Sequence, residues 1–230
     1  MNRPGRVVMH QSWRHLLFLH WSVPPEQLTR HLPPGLTLDT FEGRAYIGLV
    51  PFTMMNIRFR GLPVLGRTGA FHETNVRTYV RRGDQIGVWF FSLDATEPLA
   101  VRVARKFWGL PYHDANISLN AFEEVGYVLN RPDPHAASLE VRYRPRGSPS
   151  PTTPGTIEHF FVERYDLFSV KGANCFSGRV VHPPYSIQPV EIQFLNQDMF
   201  RGILDESLGP PEFACYSPGV DVDVCKLVSI

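Results

Sequence analysis

Four side chains that can hydrogen-bond recur at alternate positions of the ten-residue run FHETNVRTYV. Glu73, Asn75, Arg77 and Tyr79 alternate there with Thr74, Val76, Thr78 and Val80. Strand side chains point to opposite faces with period two, so a strand here gathers a carboxyl, an amide, a guanidinium and a phenol on one face. Facing an enclosed space, that set suits proton transfer beside a carbonyl: the carboxyl moves the proton and the cation holds an anionic group. Desolvation raises the pKa of such a carboxyl, and a nearby arginine lowers it. Facing water, the same stripe is only an ion-pair ladder, because antiparallel sheets often leave one face wet.

Other chemistry has weaker support. His10, His15, His20 and His31 do not stand at a recognised ligand spacing, and His72-Glu73 lacks the second histidine of a zincin helix. The three cysteines, Cys175, Cys215 and Cys225, form an odd set without metal-type spacing. No metal and no cofactor are therefore expected. There is no G-x-S-x-G elbow, no phosphate-binding P-loop and no dinucleotide fingerprint. Glu163 and Arg164 are neighbours in FFVERYDLFSV, which reads as a strand, so only one of them can face an interior. His182 precedes two prolines in a rigid turn, and Arg58, Arg60 and Arg67 belong to a region that reads as a solvated loop.

The stripe must be held by its neighbours. IGVWFFSLD, next in the chain, is apolar on both faces, as in a strand covered on both sides. Residues 98–108 read as a helix that GLPYH ends. Upstream, residues 14–23 read as a strand, and Pro24-Pro25-Glu26 opens a short helix to about His31. Residues 36–41 and 44–59 read as strands, the second with Pro51 marking an edge, a bulge or a break. Downstream come strand–turn–strand after Pro111 and a half-buried strand in which Leu139, Val141 and Tyr143 alternate with charged residues. Thr156 to Phe161 reads as a helical turn, residues 190–204 as an amphipathic helix, and Val220, Val222 and Val224 alternate with two aspartates. The Pro/Ser/Thr/Gly stretch 147–156 is a surface loop within one domain, residues 1–230, because the remaining segment is too short to close its own core. The fold class is α+β and rich in strand.

Composition narrows the function classes. With 43% hydrophobic and 20% charged residues the 230-residue chain can bury a sizeable core. A net charge of +1 argues for neither nucleic acid nor an anionic membrane surface as partner. No apolar run approaches the roughly 20 residues that cross a bilayer, and unpaired thiols suit a reducing compartment, so the expected location is the cytoplasm.

Longer strings carry a resemblance. HW-x-V at His20 to Val23, LPPGL at Leu32 to Leu36 and G-x-A-Y-I-G at Gly43 to Gly48 open the set. F-x-E-x-NVRTYV at Phe71 to Val80, GVWFFSLDA at Gly87 to Ala95 and LPY at Leu110 to Tyr112 continue it. ERY-x-L at Glu163 to Leu167, VHPPY at Val181 to Tyr185 and YSPGVDV at Tyr216 to Val222 complete it. Over almost its whole length the sequence resembles the YqjF-like family (domain of unknown function 2071), which implies no particular activity. More distantly, the same order resembles acetoacetate decarboxylase. That resemblance implies a β-barrel or folded antiparallel sheet with a few outer helices, a glutamate at Glu73 and a pocket beside the turn Leu110-Pro111-Tyr112-His113. In acetoacetate decarboxylase this turn carries two lysines, the first forming a Schiff base. Here Tyr112 and His113 stand in their place, and neither can supply the amine an imine needs.

These readings converge on a small-molecule site for an oxo acid or another polar carbonyl compound. Glu73 and Tyr112 are the catalytic candidates, as base and as hydrogen-bond donor to an oxyanion. Asn75, Arg77, Tyr79 and His113 are the substrate-binding candidates, with Arg77 as anion anchor. The chemistry, if any, is lyase- or hydratase-like and needs neither metal nor Schiff base. A non-catalytic binding or sensing protein using the same pocket is the alternative, and assembly into a homo-oligomer stays open.

Overall fold

The computed structural model describes residues 5–61, 70–98, 108–172 and 174–230. The loop expected over residues 60–70 and the helix expected over 98–108 lie largely outside these, Arg67 and Lys106 with them. Strands dominate: β1 (Val7–Val23), β2 (Thr37–Leu38), β3 (Ala45–Phe59), β4 (Phe71–Arg82), β5 (Gln85–Ala95), β6 (Tyr112–Asp114), β7 (Asn116–Ala121) and β8 (Val125–Arg131). They continue with β9 (Ala137–Pro145), β10 (Ser150–Pro151), β11 (Asp166–Lys171), β12 (Asn174–Val181), β13 (Ser186–Gln197), β14 (Phe213–Cys225) and β15 (Val228–Ser229). Two short helices, α1 (Pro25–Thr29) and α2 (Ile157–Val162), are the helical elements among the described residues. Pro25 starts α1, where a missing N–H costs nothing, and the Thr156 side chain caps α2 by accepting from His159 N–H.

The hydrogen-bonded path runs β15-β12-β11-β5-β4-β3-β1-β14-β13-β9-β8-β7. β12 also pairs with β14 at Val180–Val224 and Val181–Asp223, so the pairings from β1 through β3, β4, β5, β11, β12 and β14 return to β1. β4 lies between β3 and β5 within that circuit. The tight turn Gly83-Asp84 joins β4 to β5, with Gly83 at a positive φ of 57° that suits glycine. On one side of β4, Val76 joins a core with Leu49, Ile47, Tyr127 and Leu139. On the other, Tyr79 packs with Phe18, Tyr46, Val50, Phe52 and Phe161.

Three expectations need correction. β1 begins at Val7, ahead of the start expected at residue 14. Residues 160–162 end α2 and Glu163 caps it, so Glu163 and Arg164 lie in the link to β11 rather than on a strand. Residues 190–197 are strand rather than amphipathic helix. A bulge between Ile192 and Phe194 shifts the alternation there, placing Val190, Ile192 and Leu195 on the core, a spacing that imitates a helical face. Of the outcomes expected at Pro51, an edge, a bulge or a break, the structure has the bulge, and β3 runs on unbroken. Pro51 pairs with Thr74 on β4, while β1 slips register between Arg14 and Leu19 on the opposite side, where the proline has no N–H to give.

β10 ties the 147–156 stretch to β13 through Ser150–Ile187 and Pro151–Ser186. A protease cut within it is expected to leave both fragments associated, and the intact chain to unfold in one transition. Native mass spectrometry of the nicked protein checks this; fragments that separate and each refold alone would establish two domains.

Candidate functional site

β4 is regular along the stretch that matters, because the register slip against β5 places the extra residue, Phe91, on β5. Glu73, Asn75 and Arg77 therefore stand opposite Phe52, Val50 and Gly48 of β3, and all share the face on which Tyr79 packs. Thr74, Val76 and Thr78 point the other way. Both faces are covered, so polar groups on either must find partners inside the protein.

At one end of the stripe Glu73 is 2% exposed, and the Tyr112 hydroxyl donates to its Oε2 at 2.9 Å. Tyr112 reaches it because β6 runs parallel to β5, with Tyr112 beside Leu93, itself opposite Asn75. Burial pushes the Glu73 carboxyl from 4.5 up to about 8, against the Tyr112 hydrogen bond and with added repulsion from Asp94. Glu73 is thus a neutral acid at pH 7. Burial also raises the Tyr112 phenol well above its ordinary value, with the neighbouring Glu73 charge and hydrogen bond adding to the effect. Behind the strand, Tyr127 donates to the Glu73 carbonyl at 3.1 Å and contacts Thr74 Oγ1 at 2.8 Å. Asp94 is paired with Arg131 at 2.5 and 2.7 Å.

At the other end, Arg77 Nη2 donates to the Phe161 carbonyl at 3.0 Å, and the Tyr79 hydroxyl donates to the same oxygen at 3.1 Å. The guanidinium lies over the rings of Phe18 and Tyr79, 5.5 and 5.6 Å from their centroids. Among the described residues no carboxylate lies within ion-pair distance of it. Asn75 stands between the two ends. Its Oδ1 and the Nε of Arg77 are shielded from water and have no hydrogen-bond partner among the described residues.

His113 is not brought to this group. It stands beside Asp94 in the register, on the opposite face from Tyr112, with its ring 5.6 Å from that of His135. Glu163 accepts from Tyr185 N–H at 2.8 Å and from the Tyr165 hydroxyl, while Arg164 pairs with Asp39 at 2.8 Å. A cavity of about 710 Å³ opens elsewhere, bordered by His10, Asn56, Arg58, His182 and Asp223; none of the candidate residues lines it. No group of three or more histidine, cysteine, aspartate or glutamate residues able to hold a metal occurs among the described residues. Sequence reasoning missed His20 as a member of this face: its Nε2 lies 2.6 Å from the Tyr79 hydroxyl and its ring stacks on Phe161 at 3.8 Å. Its signal was the HW-x-V string, which gave no hint of what the histidine meets.

The profile of the DUF2071 family, described as an uncharacterized conserved protein, matches residues 10–221, and the chain belongs to that family. The uncharacterized protein YqjF of Bacillus subtilis (strain 168) is 36% identical over 190 residues, 82% of this chain and 78% of that protein. Among solved structures, an acetoacetate decarboxylase-like enzyme from Sphingomonas wittichii RW1 superposes with a TM-score of 0.66 at 12% identity, covering 98% of this chain and 94% of that one. The enduracididine biosynthesis enzyme MppR, complexed with pyruvate, matches with a TM-score of 0.66 at 12% identity, covering 100% and 91%. The chain thus shares a sheet-dominated, acetoacetate decarboxylase-like fold.

Because Glu73 titrates near 8 folded and near 4.5 unfolded, the native state alone keeps its proton between these values. The stability this contributes is complete below about pH 4.5 and is lost as pH rises to about 8. The slope is at most about 1.4 kcal/mol per pH unit. Glu73→Gln is expected to remove this slope, so its stability relative to wild type should improve from pH 5 to pH 8. Urea denaturation of both proteins at each pH checks this; parallel profiles would show an ordinary carboxyl.

Proposed function

We propose that this protein binds a small oxo acid or other polar carbonyl compound along the Glu73–Arg77 face, and acts on it by acid–base chemistry. The carrying observation is a neutral buried carboxyl held by Tyr112 on the same face as a cation that lacks a counter-ion among the described residues. A carboxylate ligand would pair with Arg77 and accept from its free Nε–H, while the Asn75 Oδ1 could receive a hydroxyl. The ligand carbonyl would then lie toward Glu73 and Tyr112. The Glu73 carboxylate, once formed, takes a proton from the carbon next to the carbonyl. The electron pair of that C–H bond becomes the enolate, and the Tyr112 hydroxyl donates to the new oxyanion. Pyruvate in the structurally similar MppR is a precedent for the ligand class.

In the same proposal the closed circuit of pairings is a barrel around the site, and all 230 residues form one domain. Cys175, Cys215 and Cys225, all free thiols, favour a cytoplasmic location. The second reading, a non-catalytic binding or sensing protein, draws on one observation. Tyr112 occupies the turn where the decarboxylase has its reactive amine, and a phenol cannot form an imine.

Pyruvate in deuterium oxide tests both. Wild-type protein is expected to bind it and to exchange its methyl protons, with a rate that rises with pH and levels off near 8 as Glu73 ionises. Glu73→Gln should abolish exchange. Tyr112→Phe should slow it by about 3–4 kcal/mol of barrier if the phenol serves the oxyanion, and weaken binding by only about 0.5–1.5 kcal/mol if it serves the ground state. Binding without exchange selects the sensing reading, and absence of binding rejects both. Borohydride with acetoacetate should leave no adduct; one on Lys106 or Lys171 would restore imine chemistry.

A further inference from the structure

His20, Gly48 and Arg77 form one row across three strands. His20 on β1 pairs with Gly48 on β3, and Gly48 pairs with Arg77 on β4. The central residue has no side chain, which leaves a notch. A Cβ placed on Gly48 would lie 2.9 Å from His20 Nε2 and 3.5 Å from Arg77 Cγ, so both flanking side chains occupy the space that the glycine vacates. His20 crosses this notch and reaches the Tyr79 hydroxyl on the far strand at 2.6 Å. It is 1% exposed, and its ring lies flat on Phe161, with an interplanar angle of 5°.

The hydrogen bonds have a direction. The Tyr79 hydroxyl has one hydrogen, and it goes to the Phe161 carbonyl. The Tyr79 oxygen can therefore only accept from His20, which assigns the imidazole proton to Nε2. The chain of donors runs from His20 to Tyr79 to the Phe161 carbonyl, and Arg77 Nη2 donates to that carbonyl from the other side. Arg77 Nη2 also lies 3.4 Å from the Tyr79 oxygen. The polar contacts of the guanidinium, the Phe161 carbonyl and the Tyr79 oxygen, are thus neutral groups, and the Tyr79 oxygen in turn meets His20.

We propose that His20 is a positioning residue for Arg77: through the Gly48 notch it holds the Tyr79 hydroxyl, and Tyr79 with the Phe161 carbonyl holds the guanidinium in the orientation that receives the anionic end of a ligand. The proposal rests on Arg77 being the anion anchor of the function proposed above. It makes His20 and Gly48, from two separate strings of the sequence, parts of one device with Arg77 and Tyr79.

The test uses His20→Phe, which keeps a ring to stack on Phe161 and removes the nitrogen, and His20→Gln, whose amide restores a donor near Nε2. Two measurements are made: pyruvate affinity, and proton exchange at the Arg77 Nε–H by NMR, which needs no ligand. His20→Phe is expected to weaken pyruvate roughly fivefold and to speed Nε–H exchange, with the melting temperature lowered by only a few degrees and the fold retained. His20→Gln should recover most of both. Tyr79→Phe should match His20→Phe, and the double variant should be no worse than either single one, because both cut the same link. Gly48→Ala, which drives a methyl toward Nε2, should copy His20→Phe. If pyruvate affinity depends on Arg77 while His20→Phe changes neither readout, the positioning role is wrong and the anchor stands. If Arg77→Met leaves pyruvate affinity untouched, the anchor itself fails and the positioning role falls with it. Additive losses in the double variant would likewise overturn the linkage.

Discussion

The structure depends on β4 being covered on both faces while carrying polar side chains on each. A buried polar group without a partner costs roughly 1–3 kcal/mol, more if charged, so such a strand dictates much of what surrounds it. Thr74 requires Tyr127 behind it, and Thr78 turns its hydroxyl to the Tyr46 carbonyl. On the other face, β6 supplies Tyr112 to Glu73, and the end of α2 supplies the Phe161 carbonyl to Arg77 and Tyr79. A two-turn helix and a three-residue strand would be marginal elements alone. Each persists here because it satisfies one end of the stripe.

The two ends solve the burial problem differently. Glu73 remains inside by keeping its proton, which removes the charge that would be expensive to bury. Arg77 cannot shed its proton, so its charge is spread over a carbonyl, a phenol oxygen and two ring faces instead. Asp94 takes a third course on the opposite face, with the full bidentate pairing of Arg131. Of the three, Asp94 takes two donors from Arg131 and one from Ser92, while the Nε of Arg77 has no partner among the described residues. That contrast, within one strand and its neighbour, separates a satisfied ion pair from a cation with a donor to spare.

Much of this was legible in the alternation of FHETNVRTYV, because period-two spacing on a strand fixes faces without reference to the rest of the fold. The tyrosine at 112 was legible only by comparing its turn with a distant family. What could not be read was convergence. His20, Gly48 and Phe161 come from three separate segments, and nothing local in any of them announces a stacked histidine beside a glycine notch. His113 shows the same limit from the other side: adjacent to Tyr112 in the chain, it is carried to the far face by the strand's alternation. The mistaken helix over residues 190–204 has a local cause, since one bulge converts a spacing of two into a spacing of three. Bulges are set by tertiary pairing, here with β9, and leave no mark that a single strand can display.

If Tyr112 stands where acetoacetate decarboxylase carries its reactive amine, as the resemblance of the turn implies, the rest of the face has different work to do. An imine draws electrons from the substrate through a covalent bond, so its surroundings need only keep the amine neutral. Without it, any negative charge that develops on a ligand oxygen must be met by fixed dipoles and charges. Such stabilisation works only if the donors are already in place, because reorganising them during the reaction consumes the gain. Tyr112 is held by the Glu73 carboxyl, and Arg77 through Tyr79 by His20. A face that works without covalent chemistry is therefore expected to be tightly ordered around its polar groups, and the stacked, fully buried His20–Tyr79–Phe161 assembly has that character.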